Sequence, residues 1–395
     1  MKYDFDTVYD RRNTNSLKWD FAAERHHSED ELPLWVADMD LKAPEPIIRA
    51  MRDLTDTGFY GYTLDKHEDR KIVSDWLKRR HGHFFDPDDI LFTPGVVYGL
   101  TQAMLALTDP GDAVMISEPV YYPFGSLVRD NGRTLIRHVL SHNDNGYYYI
   151  NFEDFETQIV RNNVKVYILC SPHNPVGRVW TESELKKAGD ICFKHGVTVF
   201  SDEIHADFVY EDNKHIPFAS ISPEFEERSV TFTSPSKTFN IAGLQVAEVI
   251  AHDAKKRNAI RQAISATGYA EVSAAGFVAM KAAYTECDEW VDSMVSYIYD
   301  NIRYMEGFIS SNLPTLHMTH PEGTYLPWVD CSGLGLDKSG LEDLIRNKAK
   351  LWLDAGHIFG TSGTLFQRFN VACPRKTVEE AMDRLLKAVN EVNIQ

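Results

Sequence analysis

Along the middle of the chain, short β-branched and aromatic runs alternate with stretches whose apolar positions recur at helical spacing. Ile90 to Thr93 reads as a strand closed by a Pro94-Gly95 turn, and Val96 to Thr108 then keeps helical spacing until D-P-G-D. Ala113 to Ser117, Val164 to Cys170, Val197 to Phe200 and Val230 to Thr233 read as further strands. Strands alternating with helices predict an α/β fold with a largely parallel sheet.

Unusual polar residues follow these strands directly. E-P-V-Y-Y-P-F comes after the second, S-P-H-N-P-V-G after the third, S-D-E-I-H after the fourth and S-P-S-K after the fifth. Ligands of open parallel sheets bind at the carboxyl edge of the strands, so these segments are expected to converge on one crevice. Plain polar turns account for the Pro, Gly and Asn residues. They account less well for an aspartate, a lysine and paired tyrosines.

The C-terminal part has a different pattern. Phe366 to Ala372 alternates as a strand, and Thr377-Val-Glu-Glu380 reads as a capping box opening a helix. That helix would bury Val378, Ala381, Met382, Leu385, Ala388, Val389 and Val392. Residues 49–284 are expected to form a large domain, with 1–48 joining 285–395 in a smaller one.

Composition narrows the choice. The 395 residues suffice for two domains, and 43% hydrophobic with 25% charged is an ordinary globular mixture. A net charge of -17, from 41 basic and 58 acidic residues, argues against a sequence-independent grip on nucleic acid. The least polar stretch, Ala263 to Tyr284, is broken by Glu271, Lys281 and two glycines. It suits a small-residue helix packed at an interface, not a membrane span. The N-terminus M-K-Y-D-F-D-T-V-Y-D has no apolar signal core, so a cytoplasmic location is expected. Cys170, Cys192, Cys287, Cys331 and Cys373 lack metal-ligand spacing and are expected to be reduced thiols. His26-His27 and His81-Gly-His83 sit in charged surroundings and read as surface residues.

The ordered set N-P-V-G, S-D-E-I-H, S-x-S-K and the arginine of F-Q-R-F-N resembles fold-type I pyridoxal phosphate enzymes of the class I/II aminotransferase superfamily. P-V-Y-Y-P-F, C-S-P-H-N-P-V-G-R-V-W, S-P-S-K-T-F-N-I-A-G and the earlier S-L-K-W-D and W-V-A-D-M-D are similar to the cystathionine β-lyase/cystalysin subgroup of C–S lyases. The resemblance spans nearly the whole chain. It implies a seven-stranded-type, mostly parallel sheet flanked by helices, a smaller α+β domain built from both termini, and pyridoxal 5'-phosphate as cofactor.

The resemblance also assigns roles. Lys237 matches the family lysine that bonds the cofactor and, once substrate frees it, removes the α-proton. Asp202 matches the partner of the ring nitrogen, Asn174 the donor to the phenolic oxygen, and Tyr121 the aromatic residue stacked on the ring. Gly95, Val96 and Val97 lie where a strand passes into a helix, a place for backbone donors to the phosphate, with Ser234 and Ser236 adding hydroxyls. Many aminotransferases carry an arginine eight residues after the lysine, where this chain has Gln245. His205 stands where many aminotransferases place a tyrosine that touches the phenolic oxygen. Arg368 suits a bidentate grip on a substrate α-carboxylate, and Tyr122 lines the substrate side. Tyr62, in G-Y-T, resembles a tyrosine that reaches the cofactor and substrate of the neighbouring subunit, which implies a homodimer.

These residues imply α,β-elimination from cystathionine- or cysteine-type substrates to pyruvate, ammonia and a thiol or sulfide. Transamination shares every step up to proton removal and stays open as the alternative. A regulatory protein that binds a transcription factor is the remote third reading.

Overall fold

The computed structural model describes residues 3–143, 146–269 and 271–393. Seven strands build the main sheet: β1 (Ile90–Thr93), β2 (Ala113–Glu118), β3 (Thr134–Val139), β4 (Val164–Cys170), β5 (Thr198–Asp202), β6 (Ser229–Thr233) and β7 (Ala247–Ile250). Their order is β1-β7-β6-β5-β4-β2-β3. Strand β7 runs antiparallel to both neighbours and the other pairings are parallel. Helices cover both faces, so every residue of β2, β6 and β7 is buried. A strand covered on both faces reads as a continuous apolar run, which is why most of these strands are visible in the sequence.

Two strands are not visible in that way, each for its own reason. The edge strand β3 is T-L-I-R-H-V and leaves half of its residues exposed, so it carries no apolar run. In β7, Glu248 interrupts A-E-V-I; it is fully buried, and burial pushes its carboxyl well above the usual range.

Among the flanking helices are α1 (Glu45–Thr57), α2 (Val96–Leu107), α3 (Ala274–Glu286), α4 (Asp288–Asn312) and α5 (Arg375–Asn393). The small-residue stretch expected as one helix is two. A helix over Ala254–Ala266 stops, and α3 begins at Ala274, where the Ser273 hydroxyl accepts from Gly276 N at 3.1 Å. A β-carbon at Gly276 would come within 2.9 Å of Leu244 O, so glycine lets α3 pack on the loop that follows Lys237. No helix among the described residues is long and apolar enough to cross a membrane.

A second, antiparallel sheet contains β8 (His317–Thr319), β9 (Trp328–Asp330), β10 (Asp354–Ala355) and β11 (Phe366–Arg368), in the order β8-β9-β11-β10. The strand expected to reach Ala372 stops at Arg368. Beyond it the N–H groups of Phe369, Asn370 and Val371 donate to Pro327, Leu34 and Tyr325 carbonyls instead of continuing one ladder. Helix α5 starts at Arg375, two residues ahead of the expected capping box. Thr377 therefore lies inside it, with its N–H on Pro374 O at 2.8 Å. Val378, Ala381, Met382, Leu385, Ala388 and Val389 are buried, and the side chain of Val392 lies outside the described residues.

All five cysteines are buried and free. The histidine pairs are less superficial than expected. His27 stacks on Trp352 with ring centroids 4.2 Å apart, and the nearly buried His81 pairs with Asp207 at 3.2 Å.

One extended segment, residues 34–41, links the two sheets without being a strand itself. Side chains satisfy its carbonyls. Arg368 donates to Trp35 O, Asn370 to Val36 O and Asp38 O, Lys237 to Ala37 O, and Asn240 to Met39 O and Leu41 O. Asn370 is fully buried and also accepts from Ala372 N at 2.9 Å. Asn370→Ala would leave the Ala372 N–H without a partner and take one donor each from Val36 O and Asp38 O, which keep Asp38 N and Lys18, at a cost of about 1–3 kcal/mol. The expected result is a thermal unfolding midpoint lower by several degrees, read by circular dichroism. An unchanged midpoint would show that Asn370 does not hold this segment.

Candidate active site

The carboxyl ends of the parallel strands open onto a cavity of about 240 Å³. Its wall includes Gly95, Val96 and Val97 behind β1, Tyr121 and Tyr122 behind β2, Cys170 and Asn174 behind β4, Asp202 and His205 behind β5, and Ser236 and Lys237 behind β6. Asp354 and Arg368 close it from the second sheet. Segments more than 270 residues apart in the chain thus meet at one point.

Lys237 lies in a single helical turn, Pro235–Thr238. Ser234 caps that turn: its Oγ accepts from Ser236 N at 3.0 Å and donates to Val246 O at 2.7 Å. The hydroxyl of Ser234 is thereby occupied, and the residue is not in the cavity wall, so it does not stand as the phosphate donor expected of it. Ser236 does face the cavity. Thr238 and Asn240 anchor the far side of the turn, on Asp207 Oδ2 at 2.7 Å and on the carbonyls of Met39 and Leu41. The hydroxyl and amide residues around Lys237 thus fix the backbone that aims it.

Lys237 Nζ donates to Ala37 O at 2.7 Å. Burial lowers its pKa to about 8, opposed by Asp38, assisted by Arg368 and opposed again by Asp202. Asp202 ends β5 and is buried. Burial pushes its carboxyl up to about 7, against the N–H of Ile204, which donates to Oδ1 at 3.1 Å. Its Oδ2 has no hydrogen-bond partner among the described residues. The cavity therefore holds an amine and a carboxyl that both change charge near neutral pH, a pairing typical of sites that do chemistry.

His205 is also buried. Burial, then the charges of Lys237 and Arg368, lower its pKa to about 3, so it is a neutral ring. Tyr325 and Phe208 meet it edge-on, and Nδ1 has no partner among the described residues. Helix α2 begins at the cavity without a side-chain cap, which leaves its first N–H groups and its positive dipole end available to an anion. Tyr121 stands edge-on to Phe124. Gln245 is exposed and in the left-handed region, φ 55°, at the end of the turn after Lys237.

Arg368 is 2% exposed. Its Nη1 donates to Asn174 Oδ1 at 3.0 Å, and its Nη2 donates to Trp35 O at 2.7 Å and to Asp354 Oδ2. Its Nε is buried without a partner. A guanidinium with unused N–H groups facing a cavity suits a carboxylate. Tyr62 is not brought to the cavity of its own chain: it is 98% exposed. Sequence reasoning missed Asp354, Cys170 and the carbonyls of Trp35 and Ala37. Asp354 lies in the apolar run L-W-L-D, which offers no polar motif, and nothing in W-V-A-D-M-D signals that its main-chain carbonyls meet the site.

Comparison with known proteins places this arrangement. The family described as Aminotransferase class I and II matches residues 30–385. Cystathionine beta-lyase PatB of Bacillus subtilis (strain 168) is 41% identical over 98% of this chain and 100% of its own. Cystalysin from Treponema denticola, whose crystal structure contains pyridoxal 5'-phosphate, is 37% identical with a TM-score of 0.95, covering 99% of this chain and 100% of that one. A protein of Clostridium difficile 630 with pyridoxal phosphate bound, provisionally named an aminotransferase, is 42% identical with a TM-score of 0.96, covering 98% and 100%. The chain belongs to the class I and II aminotransferase family, on the branch that holds PatB and cystalysin.

Proposed function

We propose that this protein is a pyridoxal phosphate-dependent carbon–sulfur β-lyase, cleaving cystathionine- or cysteine-type S-amino acids to pyruvate, ammonia and a thiol or sulfide. The observation that carries this reading is Lys237, whose burial-weakened ammonium faces a cavity shared with Asp202, Asn174 and Arg368.

The unused groups of the cavity fit the cofactor. The uncapped start of α2 at Gly95, Val96 and Val97, together with the Ser236 hydroxyl, would hold the phosphate. The unpartnered Asp202 Oδ2 would hold a protonated ring nitrogen, and Asn174 has its amide N–H groups left for the phenolic oxygen. Tyr121 would lie against the ring, with His205 beside it. When bound, pyridoxal phosphate supplies an electron sink for charge left at an amino acid's α-carbon.

The chain's own residues supply the rest. Arg368 has one Nη1–H and, on the opposite side of the guanidinium, its Nε–H unused, and its charge with one of these donors would bind the substrate's α-carboxylate and orient the α-carbon. Lys237, with its pKa lowered to about 8, would take the α-proton as the neutral amine. Tyr122 lines the substrate side.

The lyase reading is supported by the names of PatB and cystalysin. The family description and the Clostridium difficile protein support transamination as a second reading, using the same residues. The exposure of Tyr62, with Phe59 and Leu64 exposed beside it, supports a second copy covering this loop and Tyr62 serving the neighbouring site of a homodimer.

With L-cystathionine and no keto acid, the loaded enzyme is expected to release pyruvate and thiol over many turnovers. Turnover that depends on added keto acid would instead establish the transaminase. Lys237→Ala should abolish the visible absorbance band of the bound cofactor and lower kcat by about 10³-fold or more. Only the neutral amine is nucleophilic, so uptake of pyridoxal phosphate by the unloaded chain should rise with pH, about tenfold per unit below 8, and level off above. Stopped-flow absorbance checks this, and a rise that continues about tenfold per unit through pH 9 without levelling would remove the lowered lysine from the account.

A further inference from the structure

Asp354 is the carboxylate of this cavity that the roles above do not use. It sits on β10 directly across from Arg368 on β11, with the two residues in register. Its Oδ2 holds Arg368 Nη2, and both side chains are nearly buried. Its Oδ1 makes no hydrogen bond among the described residues, and the residue lines the same wall as Lys237, Tyr121 and Tyr122. Two consequences follow from this placement. Nη2 is filled by Asp354 and Trp35 O, which leaves one Nη1–H and the Nε–H of Arg368 for a ligand carboxylate. A second negative group entering on that side would also meet the nearly buried Asp354, where the interaction is screened less than on the surface.

We infer that Asp354 sets the charge of the side chain this enzyme accepts: it excludes amino acids with a second carboxylate on a short side chain and admits neutral thioethers and side chains ending in an ammonium. The inference rests on the β-lyase reading for the choice of S-substituted cysteines as probes. A carboxylate held beside the substrate arginine repels like charge and attracts an ammonium, which is discrimination by repulsion as much as by attraction. The burial of the pair makes the effect stronger than a surface ion pair could produce. If Asp354 served only as the counter-ion that positions Arg368, its loss would harm all amino acids alike.

The test uses the loaded enzyme and three probes of similar size: S-ethyl-L-cysteine, S-carboxymethyl-L-cysteine and S-(2-aminoethyl)-L-cysteine. Binding is read from the change in cofactor absorbance on titration, and turnover from pyruvate release. The wild type should bind the carboxymethyl compound least well. In Asp354→Asn, its affinity relative to the ethyl compound should rise by about tenfold or more, while that of the aminoethyl compound should fall. Asp354→Glu, which keeps the charge, should keep the wild-type order. Equal changes for all three probes in Asp354→Asn overturn the inference, as does an unchanged order. The two arms separate the possible failures. Affinity ratios that shift as stated without pyruvate release sink the β-lyase reading and leave Asp354's role standing. Pyruvate release with unmoved ratios does the reverse.

Discussion

The structure depends on how the carbonyls of residues 35–41 are satisfied. This extended segment passes between the two sheets and belongs to neither, so no strand partner takes its oxygens. A buried carbonyl without a donor costs free energy on the order of a lost hydrogen bond, so donors must come from side chains. They come from both ends of the molecule: Asn240 and Lys237 from the turn behind β6, Arg368 and Asn370 from the stretch at and beyond β11. Arg11 and Lys18 add donors to Met39 O and Asp38 O from the N-terminal side. The same contacts that seal the segment set the positions of the lysine and the arginine. Stability and site geometry are one problem here.

Burial then sets the chemistry. Desolvation is the largest influence on Lys237, Asp202 and His205, and it acts in opposite directions on the charged forms of amine and carboxyl. The lysine becomes easier to deprotonate, the aspartic acid harder, and the histidine stays neutral. Arg368 remains the cation of the wall. It is held by an amide, a main-chain carbonyl and a carboxylate, which leaves a limited and directed set of N–H groups for a ligand. A carboxylate matches that set, and the uncapped start of α2 leaves further N–H groups at the cavity.

Much of this could be read along the chain, because the main strands are covered on both faces and appear as apolar runs followed by polar turns. The polar stretches at the carboxyl ends of β2, β4, β5 and β6 carry Tyr121, Asn174, Asp202 and Lys237 to one sheet edge. What failed to show had physical causes. Strand β3 is a half-exposed edge, β7 carries a buried acid in its middle, and the start of α5 was displaced by Pro374. Ser234 is a residue type that serves equally as cap or ligand donor, and only its neighbours Val246 and Ser236 decide that it is a cap.

The sequence by itself determined the α/β alternation, the family resemblance and the set of residue types gathered behind the strands, since these depend on local periodicity and on order along the chain. The tertiary structure decided which of those residues face the cavity, what their proton affinities are, and that Asp354 stands against Arg368. Those properties arise from burial and from contacts between segments far apart in the chain, and neither has a local signature. A carboxylate in an apolar run looks the same in sequence whether it ends on the surface or beside an arginine in a cavity wall.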